Sequence, residues 1–394
     1  MPHDLSPTLP SPDTQSAAHC ERVTASIRQQ IEDGGGSISF GEFMQHALYA
    51  PGLGYYTAGS TKFGEAGDFV TAPEISSVFG YVVARQCAEV LRQVDDGEVF
   101  EFGAGSGKLA ADVLTRLETL DALPVAYRIL EVSADLRERQ QAFFAKHIPD
   151  LAHRVSWVDT PPVDHHGIIL ANEVLDALPV ERFLRRASGV MQQRVGTQAG
   201  GFAFTEAPAP ALLEKAVLEL EAELGATLPA GYVSEIGLAV PDWIAQLGAG
   251  LTRGVALLFD YGVSRREYYA PERSDGWLRC HFRHHAHNDP LILAGIQDLT
   301  AWVDFTRVAE AAVNAGLDVA GYSAQAQFLM AGGLEAEMQE FATLPLEAQL
   351  ELSQQIKTLT LPGEMGEHFK CMALRKGNCG TPSAFTLADR THTL

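Results

Sequence analysis

Residues 99–110 read VFEFGAGSGKLA, which sets a glutamate, Glu101, two places ahead of three alternating glycines, Gly103, Gly105 and Gly107. An apolar run, a glycine turn and the start of a helix offer backbone N–H groups and a helix N-terminus to a ligand. Phosphate is the first ligand to consider, and the details count against it. The spacing is GxGxG and not GxGxxG, Lys108 stands three places after Gly105, and no GK[ST] follows at the Walker distance. Glu101 would repel a pyrophosphate and attract an ammonium or sulfonium group. A second carboxylate, Glu131, ends the next apolar run, YRILEV, where an acid can accept both hydroxyls of a ribose. A nucleoside carrying a cation and an amine is S-adenosylmethionine. A dinucleotide site of unusual spacing, or a glycine turn that serves only tight packing, stays open beside it.

A third group of polar residues ends the run GIILAN and opens LANEVLDALPVERF. Asn172 and Glu173 fall at the carboxyl end of a strand, with Asp176 three places on. Methyl transfer is an in-line displacement, so an enzyme must mainly position and deprotonate the acceptor. Glu173 and Asp176 are the candidates for that work on a nitrogen, since carboxylates pair bidentately with a guanidinium. Asn172 is placed to serve the cofactor. The competing reading makes Glu173 an N-cap and Asp176 a first-turn acid of a helix.

These residues need a frame that gathers strand ends. From residue 98 onward short apolar runs alternate with helical patterns: EVFEFG, a helix over about 108–120, AYRILEV, a helix over about 134–147, RVSWV, GIILAN and, later, GVALLFDYG. Such runs are buried parallel strands of a doubly wound α/β sheet, whose ligands lie at the carboxyl ends. The roughly eighty residues between GIILAN and GVALLFDYG exceed any ordinary crossover and hold an insertion, about residues 178–250, with strands first and a helix over 211–224. DLTAWVDFTRVAEAAVNAG reads as a helix and FKCMALRKG as an edge strand. The expected division is a disordered tail (1–22), a helical and loop region covering the active site (23–95), the core (96–376) and a flexible tail (377–394).

Composition bounds the function. The 394 residues are 46% apolar and 20% charged, with a formal net charge of −21. That charge argues against nucleic acid, which demands clustered Lys and Arg, and no run approaches the roughly 18 apolar residues of a membrane span. Five scattered cysteines, with no CxxC pair, suit a reducing compartment. The first twenty residues lack both Lys and Arg, unlike a targeting leader, so the expected location is the cytoplasm. The histidine-rich run CHFRHHAHND, residues 280–289, has no regular metal-ligand spacing. It is expected to bind no metal, with Arg283 and His284 organising an acceptor channel.

The segments GYYTAG, FGEAGDFVTAPEISSVFG, EFGAGSGKLA, ANEVLDALP, FDYG and DLTAWVDFT, in this order, resemble the MidA family of class I S-adenosylmethionine-dependent methyltransferases, over roughly residues 40–376. The resemblance implies a seven-stranded Rossmann-like sheet with Gly103, Gly105, Gly107 and Glu131 on the cofactor. It also implies that Gly67, Asp68, Phe69 and Thr71 pack over cofactor or acceptor. Where an acceptor is known in the family it is a protein arginine, in one case of a respiratory complex I subunit. One departure is Trp302, where the pattern carries His. The expected function is methyl transfer to an arginine of a protein partner. A small-molecule N- or O-methyltransferase and a cofactor-binding assembly factor with vestigial catalysis are the alternatives, and a homodimer is left open.

Overall fold

The structure, a computed structural model, describes residues 9–58 and 70–394. The described residues divide into two units. A sheet unit takes Val70–Leu175, Pro241–Val263 and Phe305–Leu394, and a second unit takes the residues before position 59 with Asp176–Val240 and Ser264–Asp304.

The sheet unit is built on β1 (Glu98–Phe102), β2 (Tyr127–Leu130), β3 (Val155–Val158), β4 (His165–Asn172), β5 (Leu251–Val263), β6 (Asp318–Ala324) and β7 (Phe369–Lys376). These seven strands follow the order β6-β7-β5-β4-β1-β2-β3. β1 to β5 pair in parallel, and β7 runs antiparallel to both β5 and β6. The strands are near-continuous apolar runs because both faces are covered: Ile168, Ile169 and Leu170 of β4 and Val255 to Leu258 of β5 are wholly buried. Strand order reverses between β1 and β4, the switch point at which an open α/β sheet takes its ligand.

Sequence and structure differ at four places. β7, expected at an edge, lies between β5 and β6, and Cys371 to Leu374 are buried accordingly. Residues 14–22, expected as disordered tail, belong to the helix Thr14–Asp33, which Asp13 caps and whose Val23, Ile27 and Ile31 form a buried stripe. Residues 298–301 and 303–304 form strands, and the helix begins only at Phe305; Thr300 and Val303 are β-branched and favour that outcome. The segment after Lys376 is held, not loose. Phe385 is buried against Phe328, the Ala384 N–H donates to Gln86 at 2.8 Å, and the Arg390 N–H donates to the Tyr322 carbonyl at 2.7 Å.

The second unit has its own core around Val23, Ile27, Phe40, Phe43, Met44, Leu48, Leu278, Cys280 and Leu299. One of its sheets joins Ser37–Ser39, Gly189–Gln198, Glu181–Arg186 and Val233–Ile236, with Gly201–Pro208 beside Gly189–Gln198. The other joins His285–His287, Leu278–Phe282 and Asp298–Ala301. The expected insertion is therefore one contributor among three, and its last helix, Val240–Gly250, is counted from Pro241 onward in the sheet unit. Among the described residues no helix is long and apolar enough to cross a membrane.

Candidate cofactor and methyl-transfer site

The glycine turn leaves β1 with three left-handed residues, Gly103 (φ +62°), Gly105 (φ +54°) and Gly107 (φ +85°), a backbone that side-chain-bearing residues rarely adopt. At Gly107 a Cβ would also meet the Phe144 ring at 2.8 Å. The helix Lys108–Thr119 follows at once. The outer side of the turn is tied down: the Ser106 hydroxyl donates to Glu74, and the Lys108 ammonium donates at 2.7 Å to both Ser77 and Asp112. Glu74 lies in the short helix Ala72–Ile75, directly after the buried Thr71. Thr71 thus belongs to the segment latched to the turn, while Gly67, Asp68 and Phe69 lie outside the described residues.

Glu101 is almost fully buried, and the Tyr127 hydroxyl of β2 donates to its carboxyl at 2.7 Å. Burial pushes this carboxyl up to about 7; Tyr127 pulls it down and the nearby Glu131 pushes it further up. Among the described residues no arginine or lysine pairs with Glu101. Glu131, just past β2, is buried too. One of its oxygens accepts the Ser133 N–H at 3.0 Å and the other the Gln140 amide at 3.3 Å. Its backbone carbonyl accepts Arg137 at 2.7 Å.

β4 delivers the third corner. Glu173 sits at its tip with φ +53°, a left-handed conformation in a non-glycine residue, and such strain gathers at functional sites. The turn is fixed against β5: the Glu173 N–H donates to the Phe259 carbonyl at 2.8 Å, and the Leu175 N–H donates to Asp260 at 2.9 Å. Asp260, nearly fully buried, was not singled out from the sequence, although FDYG contains it. Asn172 donates to Glu173 at 3.2 Å, while its Oδ1 is buried and, among the described residues, has no hydrogen-bond partner. Such an orphaned acceptor at a strand tip suits a donor from a ligand.

The structure thus gathers the glycine turn, Glu101, Glu131, Asn172 and Glu173 on the ends of adjacent strands. Asp176 belongs to the second unit, where it is buried and its carbonyl accepts the Ala301 N–H at 2.9 Å. No helix covers residues 173–179, so the helix-capping reading of Glu173 and Asp176 fails. Within the second unit Tyr56 donates to Asp298 at 2.9 Å and stacks on Tyr49 with ring centres 5.4 Å apart. Burial first, then the charges of Asp298 and Asp176, push the Tyr56 hydroxyl well up.

The histidine-rich run is a hairpin, Leu278–Phe282 with His285–His287. Arg283 and His284, the two turn residues, are both left-handed (φ +50° and +62°). Arg283 was expected in an acceptor channel and instead pairs with Asp13, the cap of the Thr14–Asp33 helix. Burial lowers His281 to about 4. Among the described residues no group of three or more His, Cys, Asp or Glu side chains is placed to hold a metal ion. Trp302 stacks on Trp277, ring centres 4.3 Å apart, within the second unit.

Comparison with known proteins places the chain among methyltransferases. The model of a family described as S-adenosyl-L-methionine-dependent methyltransferase matches residues 82–323. A crystal structure from Burkholderia thailandensis with S-adenosyl-homocysteine bound superimposes with a TM-score of 0.92 at 39% identity, covering 98% of this chain and 100% of that one. The protein arginine methyltransferase NDUFAF7 homolog, mitochondrial, of Drosophila melanogaster is 28% identical over 93% of this chain and 89% of its own length. Protein arginine methyltransferase NDUFAF7, mitochondrial, of Homo sapiens is 27% identical over 86% of this chain and 80% of its own length.

Proposed function

The chain belongs to the family of S-adenosyl-L-methionine-dependent methyltransferases, and from that premise we propose that it methylates an arginine side chain of a protein partner. The relatives from Drosophila melanogaster and Homo sapiens, named protein arginine methyltransferases, support the acceptor. A respiratory complex I subunit is the first protein to test. The observation that carries the reading is Glu173, an acid held left-handed at the tip of β4 beside an orphaned buried amide oxygen.

The residues present fit the cofactor. The Gly103 to Gly107 turn offers N–H groups at a helix start, and Glu131 offers a fixed carboxylate to a ribose diol. Asn172 Oδ1 offers an acceptor to an ammonium group, and Glu101 supplies negative charge below the turn. Bound S-adenosyl-L-methionine supplies an electrophilic methyl group. The chain must then hold a guanidinium nitrogen in line and remove its proton. In this reading Glu173 pairs with the guanidinium and takes that proton.

The test is turnover of tritiated cofactor on protein from cells lacking the gene, followed by acid hydrolysis and separation of methylated amino acids. Label in methylarginine is expected, and label elsewhere contradicts the acceptor. Glu173→Gln should lower turnover by about 100-fold or more with S-adenosyl-homocysteine affinity within about twofold of wild type. Undiminished turnover removes Glu173 from the chemistry.

A further inference from the structure

We propose that Gln140 is a positioning residue that locks the glycine turn and the ribose carboxylate Glu131 into one unit, and so sets the recognition of the ribose hydroxyls. It rests on the reading of Glu131 as the ribose acid. Gln140 lies in the middle of the helix Ala134–His147 and is wholly buried. A glutamine buried on a helix that packs on a sheet is out of place unless each amide atom has a partner.

Here each has. The indole N–H of Trp157, on β3, donates to the Gln140 oxygen at 2.7 Å. An indole nitrogen can only donate, so Trp157 decides which way the amide faces. The Nε2 group must then point the other way, and its two hydrogens go to the Gly105 carbonyl at 2.8 Å and to Glu131 Oε2 at 3.3 Å. The Gln140 stem lies 3.5 Å from where a Gly107 Cβ would be. One side chain therefore bonds the backbone of one glycine of the turn, lies beside another, and holds one oxygen of Glu131.

The consequence for Glu131 is geometric. Ser133 N–H holds one oxygen at 3.0 Å and Gln140 the other, so the carboxylate plane is set from two sides before a ligand arrives. Both partners are N–H donors, so both oxygens act as acceptors there. The chain of contacts runs from β3 through Trp157 and Gln140 to the ends of β1 and β2. A rigid carboxylate discriminates hydroxyls better than one free to rotate away, because binding then carries less ordering cost.

Calorimetric titration of the full chain with S-adenosyl-homocysteine and with its 2′-deoxy analogue tests this. Wild type should prefer the natural nucleoside by about tenfold or more, as one hydrogen bond to a charged group implies. Gln140→Leu should weaken S-adenosyl-homocysteine by about tenfold or more and reduce the preference over the deoxy analogue at least about threefold. Gln140→Glu keeps the shape but sets a carboxylate against Glu131 and the Gly105 carbonyl, and should bind worse than Gln140→Leu. Trp157→Phe keeps a ring and frees the amide to turn; it should show the same fall in preference, and it carries the test should Gln140→Leu fail to fold. An unchanged preference in folded variants overturns the proposal, whether or not overall affinity drops, since that is what a merely structural glutamine would give. Absence of any preference in wild type would instead refute the ribose role of Glu131, and the inference with it.

Discussion

Two glutamates, each nearly or wholly buried, show two uses of a carboxylate, one taken from each unit. In the second unit Glu235 meets Arg182 at 3.1 Å and accepts the Trp277 N–H at 2.7 Å. Arg182 in turn lies over the Phe204 ring at 4.7 Å. Burial raises the Glu235 carboxyl, and Arg182 is the largest influence in the opposite direction. In the sheet unit Glu101 has a tyrosine hydroxyl and, among the described residues, no arginine or lysine; burial leaves it near 7. Neighbouring pairs follow the first pattern, with Glu221 on Arg185 and Asp304 on Arg265. A buried acid paired with an arginine on its own scaffold has its charge balanced without a ligand. One that lacks such a partner at a strand tip is poised for a cation from outside.

The comparison breaks most visibly at its structural end. Arg182→Ala should strand the Glu235 charge and destabilise the protein by about 3–5 kcal/mol in denaturant unfolding. A loss below about 1 kcal/mol would mean that the pair is not the prop described. In the sheet unit the same kind of change should register in binding. Glu131→Ala should weaken S-adenosyl-homocysteine by about 10- to 100-fold in calorimetry and cost about 1–3 kcal/mol in unfolding, as the Ser133 and Gln140 donors lose their acceptor; an unchanged affinity would turn Glu131 into a packing residue. The smallest effect is expected at Glu173. Glu173→Gly relieves a left-handed residue, worth about 1–2 kcal/mol, but frees the unfolded chain. The midpoint should therefore move by less than about 0.5 kcal/mol while turnover is lost. A clear destabilisation would make Glu173 structural.

Much of the site was legible because it lies where chain topology forces it. Parallel strands end together, so Glu101, Glu131 and Asn172 could be placed from three apolar runs and their last residues. The GxGxG spacing was informative because left-handed backbone confines those positions to glycine. What the sequence hid is long-range or conformational. Gln140 and Trp157 read as ordinary helix and strand residues, since nothing local marks an amide that reaches back to Gly105. The left-handed turn at Glu173 has no sequence signal, and the helix that the competing capping reading required after it does not form. β7 read as an edge strand, yet it lies between β5 and β6, and Lys370 within it is buried and donates to the Glu367 carbonyl. Arg283 looked like a substrate contact for want of any sign that it reaches a residue 270 positions away.

The central claim, that Glu101 waits for a cationic nucleoside, has a direct measure in the pH dependence of S-adenosyl-homocysteine binding. With its carboxyl raised from 4.5 to about 7, Glu101 is protonated in the unliganded fold below that pH. Its contribution to folding stability is present at low pH and is lost as pH rises through 7. A bound ammonium favours the ionised form, so affinity should climb by up to about tenfold per unit between pH 5.5 and 7 and then level. Glu101→Gln should flatten that climb and bind more weakly above pH 7. An affinity that is flat in wild type over this range, or equally steep in Glu101→Gln, would contradict the account.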